Sequence, residues 1–206
     1  MRWDLARHTL PIALVCVAIS VALVVMPFSA SASADTVAAS EMLALNNQLR
    51  SAVGAPTVPS DARLAQAAQN HANYNSANGI LGHFETAGLP YYTGYSARDR
   101  LIAQGWTTSF VSEVATGGSE LGGVQQLWDA PYHRLGLMHP NATTIGWGHS
   151  ELNGRQSNVG DIVYNFGIRP VEFVRSPAHM QTNIATSWSG QESPSPVPSG
   201  TSGPYG

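Results

Sequence analysis

The sequence predicts an α+β domain, with helices in its first half and the clearest strands in its second half. Two segments rich in alanine and leucine, with helical spacing, come early. The segments richest in β-branched and aromatic residues come late, and only a polar stretch lies between them. Alternating βαβ units would place a helix between successive strands, so this order favours an antiparallel sheet packed on helices.

The two longest helices are predicted over residues 41–54 and 61–78. In the first, leucines recur near helical spacing and Gly54 suits a C-terminal cap. The second has Ser60 as the expected N-cap and Gly79 as the terminator. This second helix is rich in alanine, and small side chains allow a helix to lie close to its neighbours.

Shorter elements follow a glycine-rich and proline-containing loop. Residues 97–104 are expected to form a helix capped by Ser96, residues 110–115 a short strand, and residues 121–128 another helix. Pro131 either ends that helix or restarts the chain. Residues 144–148 and 162–166 bracket the polar stretch 150–158, which predicts an antiparallel hairpin with a long loop.

Composition limits the classes of partner. The chain has 206 residues, of which 43% are apolar and 11% charged, with a formal net charge of -3. That apolar content supports one packed domain. No run of basic residues is present, so we expect no nucleic-acid partner.

The N-terminus resembles an export signal. Arg2 and Arg7 precede the almost wholly apolar residues 10–28, and Ala32-Ser33-Ala34 fits a small-x-small cleavage site. We expect residues 1–34 to be a signal peptide cleaved after Ala34, and the mature protein to be secreted without a membrane span. The alternative is a retained membrane anchor, since the apolar run is just long enough to cross a bilayer.

The amino-acid composition changes after Pro170. Residues 171–174 suit one more strand, and residues 189–206 are mainly serine, proline and glycine. Such a composition buries too little apolar surface to order itself. We therefore expect residues 171–206 to be an extension of the domain that ends in a mobile tail.

Three short motifs carry the candidate chemistry. They are Gly82-His83-Phe84-Glu85, Ser112-Glu113-Val114 and the segment from Trp128 to Arg134, which contains His133. Two imidazoles and one carboxylate that meet at a polar site can bind a divalent metal or transfer a proton. Of the neighbouring polar residues, we expect His71 to be a buried polar residue of its helix, Glu85 a solvated loop carboxylate and Arg100 a surface or ion-pair group.

These motifs, in their order and spacing, resemble the CAP superfamily. This superfamily includes cysteine-rich secretory proteins, insect venom antigens, plant pathogenesis-related proteins and many bacterial SCP-like secreted proteins. The resemblance covers about residues 41–167. It is carried by residues 70–74 with Gly82-His83, by residues 97–106, by Trp128 to Arg134, and by Pro140-Asn141 with Thr144-Ile145-Gly146-Trp147-Gly148.

The resemblance implies a three-layer α-β-α sandwich over residues 35–170, with a small antiparallel sheet and a cleft. In its fullest form the family cleft carries two histidines and two glutamates. His83 matches the first histidine, Glu113 one glutamate and His133 the second histidine. The other glutamate, which follows the family tryptophan, has no assigned match, although Asp129 directly follows Trp128. Ser112, Val114 and Tyr132 also depart from the family pattern.

Three functional classes follow. The first is a ligand-binding module whose cleft holds a lipid, a peptide or a cell-envelope component. The second is a metal-binding protein that holds zinc or another divalent ion through His83 and His133, with no cofactor certain. The third is a metal-dependent hydrolase in which Glu113 is the candidate catalytic residue. Because the superfamily has no common reaction, we rank binding first, metal-linked binding second and catalysis last.

Overall fold

The computed structural model describes residues 35–107, 110–167, 173–182, 184–185, 187, 192–193 and 195. The predicted signal peptide, residues 1–34, lies outside the described residues. The described chain forms five helices and three strands. These are α1 (Asp35–Ala52), α2 (Ala62–Asn78), α3 (Ala97–Ala103), β1 (Val111–Thr116), α4 (Glu120–Asp129), α5 (Pro131–Leu137), β2 (Ala142–Leu152) and β3 (Arg155–Tyr164).

Local capping chemistry fixes the ends of the helices that carry site residues. The N-cap of α2 is Asp61, one residue later than predicted, because its carboxylate accepts a hydrogen bond from the Arg63 backbone N–H at 2.8 Å. Gly79 ends α2 in the left-handed region at φ 64°. Ser96 begins α3 as predicted and forms a capping box with Asp99.

The sheet is antiparallel throughout, in the order β1-β3-β2. The predicted segments, 144–148 and 162–166, do lie on adjacent antiparallel strands, with Ile145 opposite Ile162. Residues 146–148 pair with 159–161, and residues 165 and 166 lie beyond the end of β3. The predicted long loop is wrong, because β2 and β3 continue to a tight turn at Asn153 and Gly154. Both turn residues have positive φ, 56° and 71°, as a two-residue type I′ hairpin turn requires.

Helices cover both faces of this sheet, which gives the expected α-β-α layering. On one face, α2 and α3 pack through a cluster that includes Leu64, Leu101 and Val163. On the other face, α1, α4 and α5 contribute to the larger core, in which Trp147 and Ile162 are buried. The α+β prediction is confirmed.

Two glycines let α2 lie directly on the sheet. A Cβ added to Gly146 would lie 2.2 Å from the backbone nitrogen of Ala65, and one added to Gly148 would lie 2.3 Å from that of Gln69. The alanine-rich face of α2 and these glycines of β2 are therefore complementary surfaces. Their close approach fixes the position of His71, which lies on the same helix.

Strand β1 forms one edge of the sheet and contacts α3, α4 and α5. It pairs only with β3 among the described strands, which places Glu113 opposite Asp161. Of the predicted strand over residues 171–174, residues 171 and 172 lie outside the described residues, and residues 173 and 174 are not in a strand. Within the described ranges, no helix has the length and apolar character needed to cross a bilayer.

Candidate functional site

Glu113 is the centre of the candidate site. Its side chain is only 2% exposed and lies on the α2 face of edge strand β1. The Nδ1 atom of His83 lies 3.0 Å from Oε1 of Glu113, and Nη2 of Arg100 donates to Oε2 at 2.5 Å. Both carboxylate oxygens are thus held, one by an imidazole and one by a guanidinium.

A buried ionic network lies behind Glu113. The ring of His71 lies between two carboxylates, with Nδ1 2.9 Å from Oε1 of Glu85 and Nε2 3.5 Å from Oε1 of Glu113. Nε2 of His71 is also 2.8 Å from the carbonyl oxygen of Gly82. Arg100 is fully buried and lies within ion-pair distance of both carboxylates, 3.6 Å from Glu85. The network therefore ties α2 and α3 to strand β1.

Glu85 is not the solvated carboxylate that the sequence suggested. Its side chain is fully buried, because the loop after His83 turns back over it. The backbone N–H groups of Thr93 and Gly94 donate to its Oε2 at 2.6 and 3.2 Å. Glu85 thus fixes the loop that carries His83, while His71 is a buried polar residue as expected and Arg100 a buried ion-pair partner.

The carboxyl groups of Glu113 and Asp161 have opposite electrostatic environments. Burial raises the pKa of Glu113, but the hydrogen bond with His83 and the charges of His71 and Arg100 outweigh burial, so that this pKa lies below its ordinary value. Burial raises the pKa of Asp161 well above its usual range, and the neighbouring charge of Glu113 raises it further. No hydrogen bond of ordinary length joins Asp161 to any described group, although Glu113 is its cross-strand neighbour.

His133 lies on the opposite side of the site, in the first turn of α5. Pro131 is the first residue of this helix. Proline suits that position because a backbone N–H there would have no acceptor within the helix, so nothing is lost by its absence. Both the backbone N–H and the ring Nδ1 of His133 lie 2.6 Å from Oε1 of Glu192. The side chain of Glu192 is fully buried.

Glu192 is a site residue that the sequence reasoning missed. It lies 59 residues after His133, in the segment predicted to be a mobile tail. The resemblance left one glutamate of the four-residue cleft without a match, and the carboxylate that contacts the second histidine comes from this segment. The one available signal was that Glu192 is the only acidic residue after Glu172.

A cavity of about 270 Å³ joins the two sides. Its wall combines the polar ends of the three predicted site residues with the less polar surface of Val114, Tyr132 and Gly136. His83, Glu113 and His133 therefore line one cavity. The lining residues are His83, Ser112, Glu113, Val114, Tyr132, His133, Gly136 and Ser193. Asp129 is not among them, and its carboxylate accepts a hydrogen bond from Gln125 at 3.0 Å.

The donors present in the cleft do not complete the expected metal site. In the part of the chain that the structure describes, no group of three or more His, Cys, Asp or Glu side chains is arranged to hold a metal ion. Among the residues that line the cavity, both oxygens of Glu113 are already held, so only the two imidazoles remain as donors. Two imidazoles alone make a weak site, and we derive no step through a metal. The metal role of His83 and His133 stays a prediction.

Two solved structures with a similar fold are of bacterial proteins. One is an extracellular protein containing an SCP domain from Bacillus anthracis, with a TM-score of 0.53 and 19% identity over 64% of this chain and 41% of that chain. Another is an outer surface protein from Borrelia burgdorferi, with a TM-score of 0.50 and 18% identity over 61% of this chain and 91% of that chain. At such identities the likeness shows the fold alone.

The family model gives the stronger evidence. No curated protein matches the chain. The model of the cysteine-rich secretory protein family, CAP, matches residues 43–166, which is more than half of the chain and spans α2 to β3 together with most of α1. His83, Glu113 and His133 all lie within this match, whereas Glu192 lies beyond it. With the helix-covered antiparallel sheet and the edge-strand cleft, this match shows that the chain belongs to the CAP family.

Proposed function

We propose that this is a secreted ligand-binding protein, whose cleft between His83, Glu113 and His133 holds part of a peptide or of a peptide-bearing envelope component. The observation that carries the proposal is the cavity of about 270 Å³ that these three side chains line together. This volume is slightly smaller than the ~300–1,000 Å³ of pockets that enclose a whole drug-sized ligand. The cleft therefore suits one or two residues of an extended ligand.

The mixed wall favours a peptide over a lipid chain. Val114 and Tyr132 provide apolar contacts, while the two imidazoles provide hydrogen-bonding groups within the same small space. In both rings Nδ1 faces a carboxylate, which leaves Nε2 of His83 and Nε2 of His133 for a ligand. A lipid chain would bury these polar nitrogens without a partner, at a cost of about 1–3 kcal/mol each.

The geometry supports binding better than hydrolysis. A general base needs a pKa near the working pH and a lone pair directed at the attacking water. Glu113 has a lowered pKa, and its two oxygens are engaged by His83 and Arg100. Ser112 is also engaged, with Oγ 2.5 Å from the Tyr164 hydroxyl. Glu113 thus supports the cleft as a fixed anion that orients His83.

Export is the part of the proposal that rests on the N-terminal sequence. Arg2, the apolar residues 10–28 and the Ala32-Ser33-Ala34 site suit a cleaved secretory signal. The bacterial proteins with a similar fold are described as an extracellular protein and an outer surface protein, which supports the same location. An extracellular cleft of this size would meet peptides and envelope fragments.

Histidine-labelled protein provides the test. Muramyl dipeptide, an unrelated hexapeptide and lauric acid are titrated separately, while the ring Hε1 resonances of His83 and His133 are followed by NMR. We expect muramyl dipeptide or the hexapeptide, and not lauric acid, to shift both resonances. His83→Ala and His133→Ala should each weaken binding at least about tenfold, whereas His179→Ala, at an exposed histidine, should not. Unchanged affinity in both cleft variants, or no binding by either peptide, contradicts the proposal.

A further inference from the structure

Glu192 contacts the cleft as a bound anion would. One carboxylate oxygen, Oε1, lies 2.6 Å from two donors of a single residue, the backbone N–H and ring Nδ1 of His133. The next residue, Ser193, lines the cavity together with His83 and Glu113. Glu192 and Ser193 thus lie at the binding position itself, and the Glu192 carboxylate takes the place that a ligand carboxylate would take.

The two glutamates of the site are held very differently. Both oxygens of Glu113 have partners, one of them the guanidinium of Arg100. Glu192 has partners at Oε1 alone, while Oε2 is buried and has no hydrogen-bond partner among the described residues. A buried oxygen without a partner carries an unfavourable desolvation free energy, which offsets part of what the contacts with His133 contribute. Glu113 is therefore a fixed part of the cleft, whereas Glu192 is bound at a marginal net free energy.

Glu192 also lies outside the part of the chain that the family model matches, which ends at residue 166. It reaches His133 from 59 residues further along the chain. A carboxylate that arrives on a distant segment, at marginal net free energy, can leave without unfolding the sheet or the helices that form the cleft.

We propose that Glu192 is an internal ligand of a carboxylate-binding position formed by the backbone N–H and ring Nδ1 of His133, and that an acidic peptide takes this position when the segment leaves. This inference rests on the proposed function and specifies its ligand. A tethered segment acts at an effective concentration on the order of mM, so a free acidic peptide must compete with it. Removing the Glu192 carboxylate therefore exposes the position and raises the apparent affinity for the free peptide.

The full-length mature protein is compared with its Glu192→Ala and Glu192→Gln variants, and with Glu41→Gln as a charge-matched control on the exposed side of α1. The probe is a nonapeptide with the sequence of residues 187–195, Ser-Trp-Ser-Gly-Gln-Glu-Ser-Pro-Ser. A matched peptide carries glutamine in place of its glutamate. Affinity is measured by titration calorimetry, and the backbone amide of His133 is followed by ¹⁵N NMR.

We expect the glutamate peptide to bind Glu192→Ala at least about tenfold more tightly than it binds the wild type. Glu192→Ala should in turn bind the glutamine peptide at least about tenfold more weakly than the glutamate peptide. The His133 amide should shift in Glu192→Ala and in Glu192→Gln, and should return towards its wild-type position when the glutamate peptide binds to either variant. Glu41→Gln should behave as the wild type. Equal binding of the two peptides by Glu192→Ala, or an unchanged His133 amide in that variant, overturns the inference.

Muramyl dipeptide and the unrelated hexapeptide separate this inference from the proposed function. If either one still binds in a His83-dependent manner to Glu192→Ala while the glutamate peptide does not, the cleft binds ligands but the carboxylate position at His133 is refuted. If none of the three peptides binds to a Glu192→Ala protein with a native circular dichroism spectrum, both proposals are refuted.

Discussion

Replacing Arg100 by methionine should strongly destabilise the protein. Its guanidinium is fully buried and donates to Glu113, to the carbonyl oxygen of Gly94 at 3.2 Å and to that of His83 at 3.3 Å. Methionine fills much of the same volume without charge, so the change leaves Glu85 and Glu113 buried without their shared cation. Breaking a buried ion pair by removing one partner costs about 3–5 kcal/mol.

The expected loss of unfolding free energy depends on pH, in a direction that follows from the lowered pKa of Glu113. The pKa of Glu113 in the folded protein lies below the ordinary value of 4.5, so its contribution to stability is present above that value and is lost as pH falls through the folded-state pKa. Arg100 is one cause of the lowered pKa. The difference in unfolding free energy between wild type and Arg100→Met should therefore be largest near neutral pH and should shrink below about pH 4.

Urea unfolding followed by tryptophan fluorescence measures this difference. Arg98→Met is the matched control, because Arg98 lies exposed on the same helix and should change stability by no more than about 0.5 kcal/mol. If Arg100→Met does not fold, Arg100→Lys keeps the charge and should show a smaller loss with the same pH trend. A loss below about 1 kcal/mol for Arg100→Met, or one that is constant with pH, would refute the network as described.

Three further predictions follow from the fold, the sheet and the N-terminus. Gly148→Ala forces a methyl group against the α2 backbone and should lower the unfolding free energy by about 1–3 kcal/mol, whereas Gly82→Ala, which meets nothing within 4 Å, should be nearly neutral in the same urea titration. The pKa of Asp161 is raised in the folded protein, so its carboxyl group makes the wild type lose stability as pH rises above about 3.8. In thermal unfolding, the Tm of Asp161→Asn should therefore rise relative to that of the wild type from pH 4 upward, and a relative fall over that range would contradict this. N-terminal sequencing of protein from the culture medium should begin at or near Asp35, and a retained Arg2 would contradict cleavage.

Much of the fold was predictable because its signals are local. Ser96 and Gly79 act through the residues next to them in sequence, so the boundaries of α2 and α3 were predicted to within about a residue. The hairpin is placed correctly by the sequence but its loop is not, because the polar residues 150–158 predict a loop, whereas 150–152 and 155–158 extend the strands. The turn residues Asn153 and Gly154 were the missed signal.

The site was predictable only in part. Motif order selected His83, Glu113 and His133, which do line one cavity. The groups that fix them depend on distant segments meeting in the fold. Glu85 is buried because its loop turns back onto His71, and Glu192 reaches His133 across 59 residues. Neither encounter has a local pattern in the sequence, since each depends on where a loop or a distant segment meets a helix in the fold.

The most direct test of a ligand-binding cleft is the position of a bound ligand. Intermolecular nuclear Overhauser effects are measured between muramyl dipeptide, or the glutamate nonapeptide in Glu192→Ala, and the Hε1 protons of His83 and His133. We predict contacts from one bound molecule to both rings, because the two imidazoles line the same cavity. Saturable binding with contacts to neither ring would place the ligand elsewhere and contradict the cleft as the site of function.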